Sequence, residues 1–279
     1  MPLLDLVTPW AAALAAPDPA DAASHYFQRH AATLERVRRQ RAPHADRLPL
    51  ATDNVALHRA AARASNTSLH QGMRGATHRA AELGADTDHT TVLLTGEGNG
   101  EAVIAIPGDP PMVALFIDRL PAENALLAAM LRGQATLTRW LAPDSASPLR
   151  DAALGAQWDY WELASSVPLR EWIYCSGVAC HLAHAILPDT PEHLLLDLRR
   201  GELRLLRERE RAIHALLAAD LDQSGLGLVL RWLTPDTPPS VRTVGGVVVP
   251  PGAGRYLGWR MTADRVARVG LREALRLSA

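Results

Sequence analysis

The stretch Gly177 to Leu187, "GVACHLAHAIL", sets one Cys and two His at helical spacing within an apolar run. Two zinc ligands one turn apart share a helix face, and a Glu beside the first can polarise a metal-bound water, the logic of an H-E-x-x-H helix. Cys180 and His184 stand at i and i+4 and are both zinc-ligand types, but His181 occupies the place of the general base. His181 and His184, at i and i+3, form a second candidate half-site, with Asp189 and Glu192 beyond the helix end as the nearest acids. Against both stands a packing reading, in which Cys180 is a small apolar residue and the two His lie on a partly exposed face. That reading leaves no metal cofactor. The other makes the chain a metal-dependent hydrolase that holds zinc with Cys180, His181, His184 and a distant acid, with Cys175 as a substitute for Cys180.

Other constellations carry less. Asp159 and Glu162 are one turn apart, as paired carboxylates would be, although such pairs usually form a solvated face. Leu154, Trp158 and Trp161 make a stripe of the kind found in cores. His58, His70 and His78 share no ligand spacing. The run "GEGNGE" joins strand to strand and opens no helix, so it reads as a hairpin turn rather than a phosphate cradle. "SGVA" around Ser176 lacks the G-x-S-x-G elbow of a serine nucleophile.

The elements that must position these residues follow from periodicity. Apolar residues at three- and four-residue spacing predict helices over 3–15, 18–40, 53–64 and 67–83. Three β-rich runs follow, Thr91–Thr95, Glu101–Ile106 and Met112–Ile117, separated by Gly-rich and Pro-rich turns, which predict a small antiparallel sheet or meander. Helical spacing returns over 122–141, 149–165, 168–187, 191–199 and 202–221. A connection of about 20 residues, Thr234 to Gly254, exceeds the usual loop length and leads to a final helical pair. The fold class is α+β, mostly helical: a helical N-terminal part, a small antiparallel sheet and a helical C-terminal part.

Composition narrows the classes. The chain has 279 residues, 48% of them apolar, and a net charge of −1, which fits a globular fold. Charges interrupt every apolar run before the roughly 20 residues of a spanning helix, so no membrane segment is expected. The N-terminal segment lacks a basic n-region and only two cysteines occur, which points to the cytoplasm. All 29 basic residues are Arg. Schiff-base and P-loop lysine chemistry is therefore excluded. A nucleic-acid binder needs a basic excess, which the charge balance does not supply; "LERVRRQR" reads as a solvated helix face.

The segment "LREWIYCSGVACHLAHAILPD" resembles the third-ligand helix of a family of predicted zinc-dependent proteases of the gluzincin type, whose pattern is Glu-Gly-Leu-Ala, an apolar helix and a Leu-Pro-Gly end. In that register Ser176 stands at the ligand Glu, followed by Gly177, Val178 and Ala179. "GAGRYLGWRM", Gly252 to Met261, is similar to the family's glycine, aromatic, glycine, aromatic-Arg segment near its C-terminus. The resemblance covers roughly residues 50 to 279 and implies an N-terminal helical extension, 1–50, before a metallopeptidase-like domain, 51–279. It implies further that the H-E-x-x-H helix corresponds to Ala122–Leu141, with "RGQAT" at the motif: Arg132 and Thr136 at the His positions and Gly133 at the Glu.

No His occurs between His89 and His181. Neither a cation at Arg132 nor a hydroxyl at Ser176 suits Zn²⁺. The expectation is a degenerate zinc-metallopeptidase homologue, a pseudoenzyme without catalytic residues or cofactor. It would bind a peptide or protein in the family's cleft, with the strand around Met112–Ile117 as the edge that pairs an extended chain. Tyr256 and Arg260 stand where an oxyanion stabiliser would be and are expected as ligand-binding groups, or else as helix-start packing. Two rivals remain: the active hydrolase with the rebuilt Cys/His site, and an interaction protein that uses the Arg-rich N-terminal helices.

Overall fold

In a computed structural model that describes residues 2–42, 45–96, 102–120, 122–143, 147–154, 160–234 and 237–279, the chain opens on a strand, β1 (Leu3–Asp5), and not on a helix. The Asp5 carboxylate makes the switch. It accepts from the backbone N–H of Val7 at 2.8 Å and of Thr8 at 3.0 Å, and from the Thr8 hydroxyl at 2.6 Å. These bonds satisfy orphan donors at the start of helix α1 (Val7–Leu14). The continuous helix expected from Leu3 is thereby corrected.

Four helices follow: α2 (Pro19–Arg29), α3 (Ala31–Arg41), α4 (Asn54–Ala64) and α5 (Thr67–Glu82). Asp18, Asp53 and Asn66 cap α2, α4 and α5 with their side chains. The single helix expected over 18–40 breaks at His30, whose backbone leaves the helical region (φ −109°, ψ 15°). Much of the basic cluster on α3 faces the protein. Arg36 donates to the Pro107 carbonyl at 3.2 Å, Arg38 grips Glu35 through two nitrogens, and the Arg41 guanidinium lies 3.8 Å from the Phe116 ring centre.

The sheet comprises β1, β2 (Thr90–Leu94), β3 (Val103–Ile106) and β4 (Met112–Phe116), in the order β1-β2-β4-β3. β1 pairs parallel with β2, β2 parallel with β4, and only β3 runs antiparallel, beside β4. The expected antiparallel meander is therefore corrected to a mixed, mainly parallel sheet. Burial fits this arrangement: every residue of β4 is buried, as are four of the five in β2, and parallel strands are characteristically covered on both faces and show no alternation. The same order corrects the edge. Met112–Phe116 is interior, and the outer strands are β1 and β3.

The C-terminal half is helical: α6 (Glu123–Leu141), α7 (Pro148–Ala153), α8 (Tyr160–Ser166), α9 (Leu169–Ile186), α10 (Glu192–Leu195), α11 (Arg200–Glu208), α12 (Glu210–Ala218) and α13 (Leu226–Trp232). A hairpin of β5 (Thr243–Val244) and β6 (Val247–Val248) leads to α14 (Ala253–Val269) and α15 (Leu271–Ala274). Gly245 and Gly246, with φ of 55° and 79°, form the tight turn of that hairpin. The chain is mostly helical with a small sheet. No helix among the described residues is long and apolar enough to cross a membrane. Most of "GEGNGE", and Trp158 and Asp159, lie outside the described residues.

The division expected after residue 50 is bridged by β1 in the sheet, by α1 packed on α4 and by the Trp10 indole N–H, which donates to the Ala51 carbonyl at 2.9 Å. Centrally, α6 packs on β3 and β4 and on α9, and α9 packs on α14. Glycines set both approaches. A Cβ at Gly133 would stand 2.5 Å from Val113 Cγ1 and 3.0 Å from Val103 Cγ2. Cβ atoms at Gly177 and Gly258 would each strike backbone of the facing helix, the Gly258 and Ile173 carbonyls respectively. Between α6 and α9, Arg139 and Glu171 form a buried ion pair at 2.6 Å, and Glu171 also accepts from the Ala279 backbone N–H at 3.0 Å.

Two outcomes are expected. Gly177→Ala and Gly258→Ala should each lower unfolding stability by about 1–3 kcal/mol, the usual range for overpacking, read as a reduced urea midpoint at unchanged slope. The second concerns His89, only 2% exposed and beside Gln134 at 3.4 Å, whose pKa burial lowers to about 4. The unfolded chain binds this proton near pH 6.5 and the folded chain does not. Stability is thus full above pH 6.5 and falls by about 3 kcal/mol as the pH drops to 4. Urea melts of the wild type against His89→Gln should diverge across that window and run parallel above it.

Candidate functional site

Helical periodicity brings two stripes face to face. On α6, Arg132, Gly133, Thr136 and Trp140 recur at one-, three- and four-residue steps; on α9, Trp172, Cys175, Ser176 and Ala179 recur at one- and three-residue steps. Both stripes line one cleft of about 100 Å³, partly open to solvent, which β3 covers with Val103, Ile104 and Ala105. Tyr160, Leu233 and Arg255 complete the wall. Four of the six residues expected at the degenerate site, Arg132, Gly133, Thr136 and Ser176, therefore meet in one place. Thr136 and Ser176 are half-buried and the Arg132 side chain is buried.

Tyr256 and Arg260 are not among the residues that line this cleft. The Tyr256 hydroxyl donates to Glu210 Oε2 at 2.5 Å, and Arg260 Nε lies 3.4 Å from Glu210 Oε1, so both side chains face α12. Burial, then the Glu210 hydrogen bond, push the Tyr256 phenol up to about 12. Arg255, one position earlier and thus about 100° around the helix, is the residue of this segment that reaches the cleft.

Two buried cations share one carboxylate. Arg132 donates to the Leu195 carbonyl at 2.5 Å and lies 3.8 Å from Asp197 Oδ2. Arg255 donates to the Leu196 carbonyl at 2.9 Å and lies 3.3 Å from the same Asp197 oxygen. Asp197 holds a left-handed backbone, φ 53°, to present its side chain there. Burial alone would raise the Asp197 carboxyl, but Arg255 and then Arg132 hold it below the usual carboxylate range. The remaining walls are apolar and aromatic: Trp172 meets Trp140 at 5.6 Å and Tyr160 at 5.5 Å between ring centres, both edge to face.

The alternative metal ligands do not converge. Cys180 is 1% exposed and burial raises its thiol pKa. His181 Nε2 sits 3.0 Å from the Trp259 carbonyl, and His184 is exposed beside the Trp259 ring. Cys175 faces the cleft, but burial pushes its thiol up to about 11. Among the described residues no three His, Cys, Asp or Glu side chains gather as a ligand set. Among the described residues the cleft's polar side chains are guanidinium, hydroxyl, phenol, indole and thiol groups, of which only the single Cys175 thiol is a zinc-ligand type.

The outer edge of β3 borders this cleft. Phe116 N–H donates to the Ala102 carbonyl at 2.9 Å, which fixes the ladder phase. Since Val103 pairs with Leu115 and Ala105 with Val113, these two occupy the non-hydrogen-bonded positions, and their N–H and C=O groups point away from β4. Among the described residues no backbone pairs with them on that side.

Sequence reasoning missed Arg255, Trp140, Trp172 and Tyr160. Extending the α9 spacing back from Ser176 by four residues reaches Trp172, and extending α6 from Thr136 by four reaches Trp140, so periodicity carried that signal. Nothing local marked Arg255 above its neighbours. Compared with known proteins, the chain matches no family model, no curated protein and no solved structure.

The shared carboxylate makes a stability prediction. Asp197→Asn removes the carboxylate that both buried guanidinium groups approach and should cost about 3 kcal/mol, while Ser176→Ala on the cleft wall should stay within about 0.5 kcal/mol of wild type. Denaturant melts of the two variants measure both; equal effects would overturn the assignment of Asp197 as the clamp.

Proposed function

We propose that the chain is a catalytically degenerate homologue of the gluzincin-type zinc peptidases, which keeps the cleft as a binding groove for a peptide or protein segment. One observation carries this reading: Arg132, Thr136 and Ser176, which the resemblance sets at the three ligand positions, line the same cleft. Residues 40 apart in sequence have no local reason to meet. Gly133, at the position of the general base, is occupied by close packing on Val113 and Val103, where a longer side chain has no room.

The binding role draws on β3. Val103 and Ala105 offer outward backbone groups along the cleft rim, and an extended chain laid there gains main-chain hydrogen bonds by strand addition. The apolar wall of Trp140, Trp172 and Val103 supplies the buried surface that drives such association. The guanidinium of Arg132 cannot deprotonate a water, since it stays protonated at any physiological pH.

Restoring the ligands tests the geometry. The triple variant Arg132→His, Thr136→His and Ser176→Glu should bind about one zinc per chain, because two His at i and i+4 and a carboxylate on the facing helix make a three-ligand set. Metal analysis of the purified variant, its fold checked by near-ultraviolet circular dichroism, reads the result. A folded variant with no zinc would sink the homology. Peptide hydrolysis by the wild type that needs zinc and disappears on mutating His181 and His184 would sink the loss of catalysis.

A further inference from the structure

At the cleft, Val103 and Ala105 of β3 turn their backbone N–H and C=O groups outward, with no backbone partner on that side among the described residues. Unpaired donors and acceptors at strand spacing match a second extended backbone. The pleat decides which of its side chains meets the cleft. Val103 lies on the α6 side of the sheet, its Cγ2 3.0 Å from where a Cβ on Gly133 would stand, and Ala105, two residues on, shares that face. A residue paired with either of them sends its own side chain to the same face, where Val103 and Ala105 line the cleft.

The cleft restricts that side chain in charge and in size. Arg132 and Arg255 are already engaged, with the Leu195 and Leu196 carbonyls and with Asp197, and among the described residues no Asp, Glu or His lines the cleft. A charged side chain brought there would lose its water without gaining a partner of its own. The wall beyond these groups is apolar and aromatic, with Ala179, Leu233 and the rings of Trp140, Tyr160 and Trp172. Its volume is about 100 Å³, below the roughly 150 Å³ of an apolar cavity that takes a benzene ring. A branched aliphatic side chain fits this space and an aromatic one does not. Val and Ile also favour the extended backbone that β3 requires. We infer that the cleft selects an extended peptide segment by one aliphatic side chain, Val, Ile or Leu, held opposite Val103 or Ala105. This rests on the peptide-groove reading above and adds to it the residue that is recognised.

The test uses the whole protein and a terminally blocked, fluorescein-labelled octapeptide of Thr and Ser with one variable central position X, titrated by fluorescence anisotropy. Peptides with X = Val, Ile or Leu should bind at least about tenfold tighter than X = Ala, the gain from burying two or three further carbons. Those with X = Phe, Trp, Asp or Arg should bind no better than X = Ala. Ser176→Leu, which fills the cleft from a half-buried position, should erase the preference; should it fail to fold, Thr136→Leu fills the same space from α6. Ala105→Pro removes an outward N–H and no ladder bond to β4, and should weaken every peptide alike. Equal binding at all X, or tightest binding at X = Phe or Trp, overturns the aliphatic pocket and leaves the groove reading in place. No binding of any peptide overturns both. A chain that sediments as a dimer, split by Ala105→Pro, has a second copy on β3 and overturns the peptide as its occupant.

Discussion

The contact on which the site depends is the backbone-to-backbone crossing of α9 and α14. Gly177 faces the Gly258 carbonyl and Gly258 faces the Ile173 carbonyl, so neither position has room for a methyl group. Helices that approach this closely hold their axial and rotational settings within narrow limits, since any slip brings backbone into clash. Ser176 adjoins Gly177, and Arg255 adjoins Gly254, which packs on Ile173 and the Trp232 carbonyl. The crossing therefore places a hydroxyl from one helix and a guanidinium from the other on the same cleft wall. Gly133 does the equivalent for α6 against Val113 and Val103, and so sets the height of Arg132 and Thr136 beneath β3.

Charge is buried on this frame in two places, each time through Arg. The Arg139–Glu171 pair ties α6 to α9 and receives the Ala279 backbone, while Asp197 ties Arg132 of α6 to Arg255 of α14. Arg suits both sites because its weakly hydrated, planar group donates in several directions at once, to carbonyls as well as carboxylates. Arg132 and Arg255 use this directly, each donating to a carbonyl of the α10 end, Leu195 and Leu196. The Lys-free composition thus has a structural counterpart: a compact ammonium on a flexible stem would not serve two acceptors of different chemistry at these buried positions. Such pairs cost desolvation, so their clearest consequence is a fixed geometry, not extra stability.

What the sequence made legible follows from how local each determinant is. Helices with their own caps, such as 54–64 and 67–82, were readable because Asp53 and Asn66 end them chemically. The facing stripes of α6 and α9 were readable because their spacing is periodic. Strand order was not: Thr90–Leu94 and Met112–Phe116 are short apolar runs whose partners are chosen by covering helices far away in sequence. β1 was hidden for a related reason. Its three residues take strand geometry only because β2 offers an edge, and Asp5 turns the chain immediately afterwards. Arg255 against Tyr256 was undecidable locally, since one residue of helix rotation separates a cleft wall from a contact with Glu210, and only the crossing fixes that rotation.

On the proposed reading, replacing a metal site by Arg132 keeps positive charge at the cleft and removes reactivity. A zinc ion polarises a carbonyl and lowers the pKa of bound water to about 7, and both depend on open coordination. A guanidinium has no vacant orbital and no proton to exchange near neutral pH; it can orient an anion and hold it. The neighbouring groups reinforce this. The Cys175 thiol, raised to about 11 by burial, is not a thiolate at neutral pH, and among the described residues no His, Asp or Glu lines the cleft beside Ser176 to take its proton.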